Sequence, residues 1–282
     1  MDINLDPNLR LGPIAIAWHG IFTAVGIFFG VALPVRLLRG KVSEEDAYSI
    51  ATWGVVGGIV GARLFHVLDT WSYYAEHPEQ ILFIWSGGIA VWGGVVGGVV
   101  GGLIAGIRRK VPIGLTADGA APGIALGLAI GRIGDVINGE HHAVACEPPS
   151  GICVTYSHPE TLGQGPLFIG DRRFAEGPVH LAVGYDMIWL GAIILLALWL
   201  WSRRERGRPP SLPAGAIFWL FVLLYGLDRF VISFLRVGEP TSLLALRQDQ
   251  LIGLIAMVVA LPALLFLVLR RRPPAPAEAT AA

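Results

Sequence analysis

Apolar runs of about 20 residues recur along this chain, at about 13–36, 47–69, 82–107, 113–136, 179–202, 213–236 and 250–270. A helix rises about 1.5 Å per residue, so about 20 residues cross a hydrocarbon layer about 30 Å thick. In lipid every backbone amide must find its partner inside the protein, and for runs of this length the solution is a helix. Composition agrees. Charged residues make up 15% of the chain and hydrophobic residues 54%, whereas a soluble domain carries about 25% charged residues. The expectation is an all-α integral membrane protein with seven transmembrane helices; six spans and one re-entrant segment is the alternative. Residues 1–272 are read as one domain, with an external loop at about 139–178. The Pro/Ala-rich tail 273–282 has the composition of a disordered segment. Ser43 followed by Glu44, Glu45 and Asp46 predicts the start of the second helix, where a hydroxyl and acidic side chains satisfy free amide donors.

Lysine and arginine orient such a bundle. The segments "RLLRGK", "RRK", "RRERGR" and "RRR" follow spans one, three, five and seven and hold 13 of the 21 basic residues. The other side carries Arg10, Arg172, Arg173 and Arg247. This alternation places the N-terminus outside and the C-terminus in the cytoplasm. The start of the chain, with Asp2 and Asp6 where a signal peptide has basic residues, reads as an uncleaved first span. The formal net charge is zero, so there is no basic excess for nucleic acid, and neither a metal nor a cofactor is expected. Cys146 and Cys153, seven residues apart in the external loop, are read as a disulfide, with two free thiols as the alternative.

The remaining arginines, Arg63, Arg132, Arg229 and Arg236, fall inside apolar segments. A charged side chain at mid-membrane costs about 2.5–3.5 kcal/mol on insertion scales, so such residues usually face a polar cavity. In the orientation above all of them lie in the outer half of the bilayer, at the level of His19, His66, Trp92 and Glu140. Arg229, Ser233 and Arg236 share one face if the helix continues through them. Asp228 and Arg229, being adjacent, are expected not to face each other. Each residue also has a plainer reading: Arg132 and Asp135 as a local ion pair, Arg236 as a snorkelling side chain, His19 and His66 as hydrogen-bonded core residues. Glycines at four-residue spacing, Gly93, Gly97 and Gly101 in span three and "GVVGGIVGA" in span two, predict close helix packing.

"GRIGDVINGE" at 131–140 resembles the signature of the prolipoprotein diacylglyceryl transferase family. "LGPIAIAWHGI", "GARLFHVL", "IWSGGIAVWGG", "VHLAVGYD" and "YGLDRFVISFLR" resemble its first, second, third, fifth and sixth spans. The resemblance covers nearly the whole chain. It implies transfer of a diacylglyceryl group from phosphatidylglycerol to the lipobox cysteine thiol of a prolipoprotein signal peptide, in the bacterial cytoplasmic membrane, with glycerol phosphate released. It implies a phospholipid-binding segment of Arg132, Asn138, Gly139 and Glu140, with Arg229 and Arg236 as the span-six arginines and Arg63 and Asp135 as further contacts. Catalytic roles fall to Arg229, Arg132 and Glu140. His19 and His66 stand where the family usually has tyrosine and are read as bases for the thiol. Asp135 stands where asparagine is usual, Ser233 where glutamate is usual, and Trp92 where histidine is frequent. Asp135 is read as replacing the negative charge lost at Ser233. The alternatives are a phospholipid-binding relative without transfer and an anion or lipid transporter; transporters usually show internal repeats, and none is evident here.

Overall fold

The structure, a computed structural model, describes residues 1–12, 14–83, 88, 90–139, 143–147, 150–162, 168–169, 172–173, 177–210, 212–237 and 246–270. Its helices are α1 (Trp18–Leu37), α2 (Glu44–Asp69), α3 (Trp71–Glu76), α4 (Val91–Arg108), α5 (Ile113–Asn138), α6 (Pro159–Leu162), α7 (Ala182–Glu205), α8 (Ala216–Ile232) and α9 (Gln248–Leu269). Short strands join them: β1 (Asp2–Ile3), β2 (Asn8–Leu11), β3 (Ile14–Ala17), β4 (Cys153–Tyr156), β5 (Phe168–Ile169), β6 (Arg172–Arg173) and β7 (Val179–His180). The fold is mostly helical, and among the described residues six helices are long and apolar enough to cross a membrane.

Two expected boundaries shift. The first apolar segment does not become helical at 13. Residues Ile14–Ala17 pair antiparallel with Asn8–Leu11, Asn8 opposite Ala17, and the helix begins at Trp18, whose indole N–H donates to the Asp6 carbonyl at 3.1 Å. The "IAIA" run is apolar in either conformation, so only pairing decides it. The third segment is expected from 82; among the described residues Pro78–Leu82 is a 3-10 helix and the α-helix has the bounds Val91–Arg108. At 18 residues α4 is short for a span.

The chain divides into two compact units. One comprises Val31–Gly119. Here α2 and α4 run antiparallel along a glycine seam. A Cβ built on Gly61 would meet the Gly93 carbonyl oxygen at 2.2 Å, and one on Gly97 would meet that of Gly57 at the same distance. No side chain fits between the two backbones, as the four-residue spacing predicts. Asp46 N–H donates to Ser43 Oγ at 3.0 Å, the expected cap. Arg109 closes the seam by pairing with Glu45 at 2.8 Å and Asp46 at 3.2 Å.

The other unit comprises Met1–Gly30 and Ala120–Ala282. Here α1 packs on α5 with Gly26 over the Gly127 carbonyl, and Gly134 lies against the backbone of His19. α8 packs on α9 through Gly226 and Gly253, and α7 lies beside α8, with Trp189 Nε1 donating to the Leu224 carbonyl at 3.0 Å. A small sheet in the order β1-β4-β7 sits near the end of α5. Its buried face is Ile3, Val154, Tyr156 and Val179, and Tyr156 Oη donates to the Val136 carbonyl at 3.0 Å. A disulfide joins Cys146 to Cys153, with Cα atoms 5.5 Å apart.

Candidate active site

The α5 helix ends in the polar segment that begins at Arg132. Arg132 and Asp135 stand three residues apart, one helical turn, and Arg132 Nη1 donates to Asp135 Oδ2 at 2.7 Å. Asp135 is not confined to that local pair. Its other oxygen lies 2.5 Å from His19 Nδ1 on α1, brought there by the tight crossing at Gly134. Arg132 is likewise shared: its Nε lies 3.4 Å from Asp186 Oδ2 on α7.

Asp186 is the hinge of the site. Its second oxygen lies 2.5 Å from Arg229 Nη2 on α8, so one carboxylate bridges arginines from two other helices. Arg229 also donates through Nε at 3.2 Å and Nη2 at 3.0 Å to Asp228 Oδ2. The expectation that these adjacent residues do not face each other is overturned. The arginine chain is long enough to fold back and clamp its neighbour's carboxylate, which helix geometry at the Cα level does not reveal. The Arg229 guanidinium also stacks 5.3 Å over the Tyr225 ring one turn earlier. Asp186 and Arg229 are 2% and 5% exposed, and Asp228 is fully buried. Burying a charge is costly unless it is paired, and each of these is ion-paired, although Asp186 Oδ1 and Asp228 Oδ1 have no hydrogen-bond partner among the described residues.

Arg236 joins the cluster by a different route from the shared helix face expected for it. The α8 helix stops at Ile232, Ser233–Leu235 form a 3-10 turn, and Arg236 is extended. Its side chain pairs with Asp249 at the start of α9, whose carboxylate lies 3.9 Å from Arg229. Arg247 donates to the Ser233 and Arg236 carbonyls and pins this turn. Ser233 is buried, and its hydroxyl has no hydrogen-bond partner among the described residues. Asn138 is also buried at the end of α5. Gly139 follows with a positive φ of 70°, where a Cβ would lie 2.6 Å from Thr161 Cγ2. The left-handed conformation ends the helix, and only glycine fits it without strain. Glu140 lies outside the described residues.

Arg63 and His66 belong to the other unit. Arg63 donates through Nε to the Ile81 carbonyl at 2.8 Å, through Nη1 to Gly88 at 2.6 Å, and through Nη2 to Gln80 at 2.6 Å and Phe83 at 3.2 Å. It gathers the segment before α4 around one guanidinium, itself 5.2 Å over the Tyr74 ring. His66 meets the same ring edge-on at 5.8 Å and lies against Gly88. The side chain of Trp92 lies outside the described set.

Asp186, Asp228, Asp249 and Arg247 were not anticipated from the sequence as site residues. Asp186 closes the quoted motif "VHLAVGYD", and an acid inside an apolar span was the available signal. In charge terms Arg132, Arg229, Arg236 and Arg247 stand against Asp135, Asp186, Asp228 and Asp249.

A mostly helical chain with long apolar helices that buries a cluster of arginines and carboxylates has the make-up of a helical membrane protein. Comparison with known proteins makes the class specific. A family model described as prolipoprotein diacylglyceryl transferase matches residues 8–266. The phosphatidylglycerol–prolipoprotein diacylglyceryl transferase of Nostoc sp. is 32% identical over 278 residues, covering 94% of this chain and 90% of the relative. The Bacillus velezensis protein of the same name is 32% identical over 261 residues, covering 91% and 90%, and that of Lactobacillus delbrueckii subsp. bulgaricus is 28% identical over 264 residues, covering 92% and 89%. The chain belongs to the prolipoprotein diacylglyceryl transferase family.

Proposed function

We propose that this chain transfers the diacylglyceryl group of phosphatidylglycerol to the lipobox cysteine thiol of a prolipoprotein. The proposed setting is a bacterial cytoplasmic membrane crossed seven times, with the N-terminus outside and the site opening to the outer leaflet. The observation that carries the reading is the Asp186 bridge between Arg132 and Arg229. Two guanidinium groups held together from separate helices suit one phosphodiester, whose oxygens take forked N–H donors.

In this reading the thiolate sulfur attacks the diacylglyceryl carbon attached to phosphate. A carbon–sulfur bond forms, the carbon–oxygen bond breaks, and glycerol phosphate leaves with the electron pair. Negative charge grows on the leaving phosphate, where preorganised arginines in a water-poor site contribute most. The thiol must first lose its proton, since a free cysteine has a pKa of about 8.5 and is mostly neutral at pH 7. His19 takes that proton. Its side chain remains 45% exposed, and Asp135 holds its Nδ1, leaving Nε2 to face the thiol. Asn138, Gly139 and Glu140 complete the headgroup segment. Asp186 is a positioning residue.

The test is a purified-protein assay. The protein in phosphatidylglycerol vesicles is given a lipobox peptide, and the peptide mass is followed. The expected result is a peptide heavier by one diacylglyceryl group. No adduct, where the Bacillus velezensis relative gives one, overturns the proposal. It would favour a phospholipid-binding relative without transfer, the reading that Asp135 and Ser233, in place of the usual asparagine and glutamate, support.

A further inference from the structure

The β2–β3 hairpin carries an unpaired edge that leads straight to His19. Its register sets Asn8 opposite Ala17, Leu9 opposite Ile16, Arg10 opposite Ala15 and Leu11 opposite Ile14. One step along the same ladder, the Trp18 N–H donates to the Pro7 carbonyl at 3.1 Å. Bonded and non-bonded pairs alternate in an antiparallel ladder. Leu9–Ile16 and Leu11–Ile14 are therefore bonded pairs, and the amides of residues 8, 10, 15 and 17 point outward. The Asn8 N–H agrees with this count, since it donates away from the ladder to Asp6 Oδ1 at 2.8 Å. On β3 the Ala15 N–H and carbonyl and the Ala17 N–H have no partner among the described residues, and Ala15 is exposed.

We propose that this edge takes up the polypeptide substrate: the few residues after the lipobox cysteine add to β3 as a further antiparallel strand and so set the thiol beside His19. This deepens the proposed function and rests on its reading of the substrate and of the outward N-terminus.

Continuity places the strand at the base. Ala17 ends β3, and His19 is the second residue of α1, with its Nδ1 held by Asp135 at 2.5 Å. A chain paired along Ala15 and Ala17 arrives at that imidazole. Direction agrees. In the proposed orientation β3 descends into α1, whereas a signal peptide, its basic end in the cytoplasm, ascends. The two run in opposite senses. With the cysteine level with His19, the residues that follow it lie beside Ala17 and then Ala15.

The hairpin is also built to hold such an edge at the membrane surface. Leu9, Leu11 and Ile16 share one face by the alternation of strand side chains, and Leu11 and Ile16 are 58% and 40% exposed. On the opposite face Arg10 pairs with Asp6 at 3.1 Å and with Glu160 at 2.7 Å. Hydrocarbon on one side and anchored charge on the other suit an element lying in the interface. Free edges are usually blunted by charge, proline or a covering segment. The β2 edge has Arg10 and the Asp6 cap; β3, reading "IAIA", has no charge and no proline. Its outward groups are those of alanines, so it reads main chain, the mode of strand addition.

The test is an N-methyl scan of a lipobox peptide that carries serine in place of the cysteine, so that binding is read without turnover. Fluorescence anisotropy follows its binding to the full-length protein in phosphatidylglycerol nanodiscs. A methyl group on an amide that faces β3 removes a donor and blocks approach, whereas on the next amide it faces away. Among the first few residues after the serine, the Kd should rise by at least about fivefold at every second position, the worth of one hydrogen bond. It should change by less than about twofold at the positions between. Ala15→Pro removes an outward N–H without breaking a ladder bond, and proline is tolerated on an edge. It should weaken peptide binding by about fivefold and flatten the alternation, with the KM for phosphatidylglycerol nearly unchanged. A response that is uniform along the peptide, or absent, overturns the proposal, as does an Ala15→Pro protein with wild-type peptide binding. The scan on the wild-type protein needs no variant to fold. If the alternation appears while the cysteine peptide gains no adduct, the strand site stands and the transferase reading falls. If the adduct forms without the alternation, the transferase reading stands and the strand site falls.

Discussion

His19 Nδ1 and Asp135 Oδ1 meet at 2.5 Å across the crossing of α1 and α5, where a Cβ on Gly134 would lie 2.6 Å from the His19 Cα. The helices approach closely enough for a short carboxylate to orient an imidazole from the neighbouring backbone. Asp135 in turn holds Arg132, so the proposed base and the proposed phosphate ligand share one carboxylate. The substitution His19→Gln should lower kcat for peptide modification by about 10²- to 10⁴-fold, the usual contribution of a general base, with little change in the KM for phosphatidylglycerol. The acid limb of the kcat profile, where imidazole is protonated and inactive as a base, should disappear with it. A His19→Gln enzyme that keeps that limb has its base elsewhere.

Asp186 is the residue whose loss reaches both arginines at once. Replacing it with alanine leaves Arg132 and Arg229 without their shared carboxylate in a buried setting. Breaking a buried pair by removing one partner typically costs about 3–5 kcal/mol. Asp186→Ala should therefore lower both thermal stability and kcat/KM. Asp186→Asn, which keeps the shape and loses the charge, separates the two effects: kcat/KM for phosphatidylglycerol should fall by at least about tenfold while the folded fraction is retained. Asp186→Glu should recover part of the activity. An Asp186→Asn enzyme with wild-type kcat/KM would show that the bridge serves folding alone.

Local spacing made some of this site legible and hid the rest. The Arg132–Asp135 contact follows from a three-residue offset on one helix, and the glycine seam of α2 and α4 follows from four-residue repeats. The Asp186 bridge depends on which helices become neighbours, and no periodicity along α7 encodes that. Adjacent positions on a helix point in different directions at the Cα level, yet the long flexible Arg229 side chain reaches back to Asp228. Spacing alone puts Arg236 on a continuous helix face, and nothing in "VISFLR" announces the 3-10 turn that re-aims it. The strand at Ile14–Ala17 was hidden for a simpler reason: short apolar runs look alike in strand and helix.

Arg63 shows how a buried arginine serves architecture. Its donors are engaged by carbonyls of Gln80, Ile81, Phe83 and Gly88, which gathers the segment leading into α4. Lysine carries the charge without the planar fork, so Arg63→Lys should lose several of these bonds at about 1 kcal/mol each. The expected outcome is a melting temperature lowered by several degrees with the KM for phosphatidylglycerol nearly unchanged. Gly88→Ala should act in the same direction, because Gly88 has a φ of 76° and a Cβ there would lie 2.5 Å from His66 Nε2 and 2.9 Å from Arg63 Nη1. A large rise in KM with unchanged melting would instead make Arg63 a headgroup ligand.

The disulfide bears on the sheet and not on the proposed chemistry. Cys153 pairs with His180 in the β4–β7 ladder, and the Cys146 N–H donates to the Pro178 carbonyl at 2.9 Å, so the bridge closes a loop already held at both ends by backbone bonds. Closing a loop this short stabilises by about 2 kcal/mol in the chain-entropy account. None of the Arg132, Asp186 and Arg229 contacts passes through it. Cys146→Ser with Cys153→Ser should therefore keep transfer activity within about threefold at low temperature, as expected away from the site, but should inactivate sooner on heating and open the 143–162 segment to protease. Treatment of the wild-type protein with a reductant should reproduce both effects. Immediate loss of activity on reduction, with melting unchanged, would mean that one of these sulfurs takes part in the reaction.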